Sequence, residues 1–161
     1  MDTAAIISVL QESIFMIVVF VIFLIYTLKH GRQSITNLIL GLYFALLISI
    51  QFPYYESLLG ATSSPKAEAI LLIVVFSAFT IISAMLFGRL MPREYDEGSF
   101  EGFWRKMLLA AAATAMVMSF SYHVLPVTEL ITPGSPIQYL FGSAQSFFWW
   151  LFAPILILFL V

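Results

Sequence analysis

The chain has 161 residues, of which 61% are hydrophobic and 10% charged, with a formal net charge of −2 and no cysteine. A soluble domain of this size is about 45–50% apolar and about 25% charged, so these side chains cannot cover an aqueous surface without leaving large apolar patches. The small net charge gives no basis for a nucleic-acid partner, and the missing thiols exclude disulfides, thiolate metal sites and cysteine nucleophiles.

The expected solvent is the lipid bilayer. A hydrocarbon core about 30 Å thick takes about 20 mainly apolar helical residues, with the backbone satisfied inside the segment. The opening MDTAAIISVLQES has no basic leader region, and its apolar run continues to Leu28. It reads as a retained first span over 6–28 rather than a cleaved signal. The second span is expected over 35–52, stopped by Pro53, and the third over 67–90, between Pro65 and Pro92. The fourth is expected over 107–125, closed by Pro126. Proline stops a helix because it lacks an N–H and restrains the residue before it.

The last stretch, 137–161, is long enough to cross, but Phe147, Phe148, Trp149 and Trp150 form a belt of the kind that prefers the water–lipid boundary. Pro154 adds an expected kink. A fifth span is preferred over a helix that lies in the interface or re-enters the membrane. The expected fold is therefore all-α: one polytopic domain, 1–161, of four to five transmembrane helices.

Half of the sixteen charged residues fall in 88–106: Arg89, Arg93, Glu94, Asp96, Glu97, Glu101, Arg105 and Lys106. With five spans, this loop shares a side with Lys29 and Arg32, and the opposite side has only Lys66 as a cation. Basic residues accumulate on the cytoplasmic side. The segments 29–34 and 89–106 are thus expected to be cytoplasmic, with the N-terminus outside. Within FEGFWRKM, Phe100, Phe103, Trp104 and Met107 share one helical face, and Ser99 can cap it. Arg105 and Lys106 can reach headgroups while their stems stay in apolar surroundings. This reads as a short interfacial anchor helix leading into the fourth span.

Chemistry is sparse. Ionisable residues deep in a membrane are costly and usually functional, and Glu12 is the sole candidate for an ion or polar site. No serine sits in a Gly-x-Ser-x-Gly context. His123 has Ser119, Ser121 and Glu129 nearby in sequence, but Ser121 and His123 fall on different helical faces. No catalytic, metal or cofactor site is expected, and no enzymatic activity.

Packing signals are stronger. Gly41, Ala45 and Ser49 are four apart, with Asn37 one turn earlier; Thr80, Ala84 and Gly88 repeat the spacing, as do Ala111, Ala115 and Ser119. Small side chains at that interval let helix backbones approach closely. The expected partners are lipid, further copies of this chain and other membrane proteins.

The segments LKHGRQSITNLILGLYFALL, MLFGRLM, FWRKMLLAAAATAMVMSF and SPIQYLF, taken in order, resemble the colicin V production protein (CvpA) family. That resemblance implies a small bacterial inner-membrane protein acting in secretion or envelope maintenance, with no catalytic residue to carry over. The expected function is assembly through helix packing. The alternatives are an accessory subunit of a larger respiratory or transport complex, and a small channel or transporter.

Overall fold

The computed structural model describes residues 3–60, 64–91, 102–125 and 136–161, with side chains described for 14–60, 64–91, 102–125 and 138–161. Every regular element among them is an α-helix. Helix α1 (Thr3–Gln51) is interrupted at a single residue, Gly31, with φ 83° and ψ 173°. This backbone region is open essentially only to glycine. The expected loop at 29–34 is thus a one-residue break. It needs no longer linker, because one unhindered residue re-aims the chain.

The two arms of α1, 3–30 and 32–51, lie side by side. Phe15 and Met16 pack against Met118 and Phe141, and His123 bonds the Phe141 carbonyl. Ser49 and His123 line one cavity. A straight helix from Phe15 to Ser49 would span about 51 Å at 1.5 Å per residue, so the chain must double back at Gly31.

After Pro53 comes the short helix α2 (Tyr55–Leu59), and then α3 (Pro65–Leu90). The Ser64 side chain caps α3 by accepting from the Ala67 N–H, and Pro65 fills its first turn. Glu68 in the first turn and Arg89 in the last both suit the helix dipole.

Helix α4 (Phe103–His123) starts directly after Gly102. Phe103, Trp104, Arg105 and Lys106 are therefore its own first turn, and no separate anchor helix precedes it among the described residues. Its first backbone bond runs from the Lys106 N–H to the Gly102 carbonyl. Ser99 and Phe100 lie outside the described residues.

Helix α4 packs on α1 and α6. Its Leu109, Ala112, Ala113, Met116 and Phe120 join Ile35, Ile39, Leu42, Ala45, Leu46 and Phe76 in one buried core. Phe76 and Phe120 meet edge to face with centroids 5.6 Å apart.

The expected helix over 137–161 is instead two helices, α5 (Pro136–Phe141) and α6 (Ala144–Leu160). Gly142 closes α5 by donating to the Gln138 carbonyl at 2.6 Å. Ser143 then turns extended, and its side chain accepts from the Ser146 N–H to start α6 afresh. Helix α6 runs through Pro154, which is buried. It packs on α4 and is tied to α1 by the Tyr43 hydroxyl, which donates to the Leu151 carbonyl.

Two described helices are long and apolar enough to cross a membrane, Ile14–Gln51 and Pro65–Leu90, and Ala144–Leu160 is apolar but shorter.

Candidate functional site

One close helix contact is a seam between the second arm of α1 and α3. A Cβ built on Gly41 would lie 2.9 Å from the Ala84 nitrogen and 3.0 Å from the Thr80 carbonyl oxygen, so the two backbones touch. One turn away, Asn37 Nδ2 lies 3.5 Å from the Cβ position of Gly88. The pairings 41 with 84 and 37 with 88 fix an antiparallel register, which brings Ala45 level with Thr80 and Ser49 level with Phe76. The two stripes, 41/45/49 and 80/84/88, thus face each other.

The stripe on α4 is packed over only part of its length. Ala111 is exposed, Ala115 is half-buried and only Ser119 is buried. The packed face of α4 runs instead through Leu109, Ala112, Ala113, Met116 and Phe120.

Most buried hydroxyls in the helices are satisfied one turn back. Thr27 donates to the Phe23 carbonyl, Thr80 to Phe76, Thr114 to Ala110 and Ser121 to Val117. Three buried polar atoms among the described residues have no such partner: Asn37 Oδ1, Ser49 Oγ and Ser119 Oγ. Leaving a buried polar group unpaired costs about 1–3 kcal/mol.

Ser49 is one of the residues around a cavity of about 620 Å³ at the His123 end of the bundle. Its walls come from α1, α3, α4 and α6, through Leu46, Phe76, His123, Phe147 and Leu151, with Tyr55 and Leu59 of α2 at its edge. His123 Nε2 lies 2.8 Å from the Phe141 carbonyl oxygen. A carbonyl only accepts, so Nε2 carries a proton and donates it, leaving Nδ1 with a lone pair in the neutral ring. The ring also lies against Phe147, with centroids 4.3 Å apart and the planes tilted by 40°. Ser121 is committed to the Val117 carbonyl, and Glu129 lies outside the described residues.

At the opposite end, Arg32 Nη1 donates to the Val161 main-chain oxygen at 2.8 Å, and Gln33 Nε2 donates to the Met91 carbonyl at 3.4 Å. These bonds fasten the Gly31 break to the ends of α6 and α3. Lys29, Arg89, Arg105 and Lys106 belong to the same end by their positions on α1, α3 and α4. Lys66, Glu56 and Glu68 lie at the His123 end, at the starts of α2 and α3. Phe103 and Trp104 are exposed at the cationic end, Trp104 by 70%.

The side chain of Glu12 lies outside the described residues. Among the described residues, no three His, Asp or Glu side chains gather as metal ligands would. The chain matches no protein-family model, no curated protein and no solved structure at a significant level.

The cavity and the Arg32 tether were not among the sequence-level candidates. Ser49 was singled out only for its size. The one available hint was a hydroxyl two residues from a helix end, opposite a histidine at another.

Proposed function

We propose that the chain is a multi-pass membrane protein that works by assembly, with both arms of α1, α3 and α4 crossing the bilayer and α6 as a shorter fifth helix. The observation that carries this reading is the belt of exposed aliphatic side chains between the two polar ends. Ile14, Ile17, Val18, Val21, Ile22 and Ile25 face outward on α1, as do Ile70, Val74, Ile81, Ile82, Met85 and Leu86 on α3. In water this belt would drive aggregation, whereas in lipid it is matched to its solvent.

The clustering of cations at the Gly31 end supports a cytoplasmic location for that end, with the N-terminus outside. The resemblance to the CvpA family would put the assembly in secretion or envelope maintenance at a bacterial inner membrane. The backbone-to-backbone seam is what a packing role needs, and exposed Trp104 and Phe103 suit an anchor at the inner boundary. The partner is a second copy of this chain or another membrane helix protein.

Alkaline carbonate extraction tests the membrane reading: the protein should stay in the pellet and leave it only with detergent. Release by carbonate alone would overturn it. Sizing the detergent-solubilised protein tests assembly, because a defined oligomer supports self-association and a bare monomer points to the accessory-subunit alternative. The channel alternative predicts liposome flux that changes with Glu12→Gln.

A further inference from the structure

Helix α6 reaches between the two ends of the bundle. Phe147 in its first turn lies against His123, and at the far end the Val161 oxygen accepts from Arg32. Its outward side chains change in kind along that path. Gln145 is exposed in the first turn, and Phe148 and Trp149 follow, 60% and 64% exposed. Phe152, Ile155, Leu156 and Phe159 then face outward with no polar atom on their side chains. An indole joins an apolar body to an N–H, and such side chains collect at the water–lipid boundary. The order amide, indole, hydrocarbon, guanidinium is that of a bilayer crossed from one face to the other.

The height of this face is unusual. Trp149 and Val161 are twelve residues apart, about 18 Å of helix at 1.5 Å per residue. Measured from Gln145, the distance is about 24 Å. On α3 the apolar run lies between Glu68 in the first turn and Arg89 in the last, about 32 Å by the same rise. A hydrocarbon core of about 30 Å therefore matches α3 and exceeds α6 by about 6–12 Å. Helix α3 packs on α1, whereas α6 packs on α4, so the tall and the low face belong to different flanks of the bundle. Tilting shortens a helix further across the bilayer and cannot make up the difference. Nor can α6 slide inward, because Arg32 would follow Val161 into hydrocarbon at high cost.

We propose that the outward face of α6 is a lipid contact of reduced height, against which the bilayer thins, while α3 meets lipid at full thickness. This deepens the membrane reading and rests on it. Thinning is the ordinary response of a bilayer to a hydrophobic stretch shorter than itself. The lipid chains that fit beside α6 are accordingly shorter than those that fit beside α3.

The native chain has no cysteine, so single spin labels test this in the full-length protein. The α6 series is Gln145→Cys, Phe148→Cys, Phe152→Cys, Ile155→Cys and Phe159→Cys. The α3 series is Ile70→Cys, Val74→Cys, Ser77→Cys, Ile81→Cys and Met85→Cys. All ten positions are exposed, so the labels displace no packed side chain. In vesicles of dioleoylphosphatidylcholine, paramagnetic accessibility to oxygen against a nickel chelate gives the depth of each label. The deepest α6 label should be Ile155, with Phe148 and Phe159 near opposite boundaries. It should lie about 3–6 Å shallower than the deepest α3 label, half of the shortfall in height. In dimyristoleoylphosphatidylcholine, whose bilayer is thinner, that gap should shrink.

Equal greatest depths on the two helices would overturn the proposal, as would a gap indifferent to lipid chain length. A deepest α6 label at Phe148 or Phe152 would also overturn it, by moving the outer boundary above Trp149. Access of the nickel chelate along the whole α6 series would mean that this face does not meet lipid. Release by carbonate alone would remove the membrane reading itself. A protein that stays in the pellet but shows equal depths loses only the thinning.

Discussion

Gly41 meets Ala84 so closely that any side chain at position 41 would press on the α3 backbone, with a methyl 2.9 Å from the Ala84 nitrogen. Gly88, in the same seam, has ordinary clearance of 3.5 Å to Asn37. The two glycines therefore respond differently to the same substitution.

Gly41→Ala should destabilise the protein by about 1–3 kcal/mol, the usual cost of overpacking. Gly88→Ala should change stability by less than about 1 kcal/mol, with a gain in helix propensity helping it. Thermal unfolding in detergent checks both. Equal effects at the two positions would mean the seam does not hold the helices together.

Gly31→Ala should cost about 1–3 kcal/mol, because the residue sits at φ 83° and ψ 173°. Asparagine tolerates the left-handed helical region but not this extended one, so Gly31→Asn should be no better than alanine. A full rescue by asparagine in the same unfolding assay would contradict the observed backbone conformation.

Tyr43→Phe removes the hydroxyl that bonds the Leu151 carbonyl and leaves the ring in place. The expected loss is about 0.5–1.5 kcal/mol. Limited proteolysis gives an independent reading: cleavage between α5 and α6 should become faster if this bond keeps α6 seated.

Topology is testable because the chain has no native cysteine. A membrane-impermeant thiol reagent applied to intact cells should label Ser63→Cys and spare Ser99→Cys. The reverse pattern would invert the proposed orientation.

Helix identity was legible where a local stop existed. Pro53 and Pro65 bracket the end of α1 and the start of α3, and the Gly41 and Ala84 stripes carry their spacing in sequence. The α4 stripe misled because Ala110 to Ala113 are all small, so a spacing of four can be drawn on any face. Which face packs was decided by Leu109, Met116 and Phe120.

The break at Gly31 looked longer in sequence because Lys29, His30, Arg32 and Gln33 surround it with polar groups; these are helical residues at a bundle end, where polarity says nothing about backbone. The division of α5 from α6 hides in an apolar run for a related reason, since Gly142 and Ser143 occupy only two positions. The cavity has no local signature at all. It exists because helices ending at Gln51 and His123 leave space that α2 does not fill.

The hinge in α1 has a consequence for handling the protein. Straightened, the 49 residues of α1 would make a rod of about 73 Å, more than twice the thickness of a hydrocarbon core of about 30 Å. A bilayer forbids that rod, because one greasy half would have to stand in water. A micelle wraps whatever shape it meets and imposes no such ceiling, so on the proposed membrane reading a bilayer would hold the hairpin more tightly than detergent, and nanodiscs should give a more uniform particle.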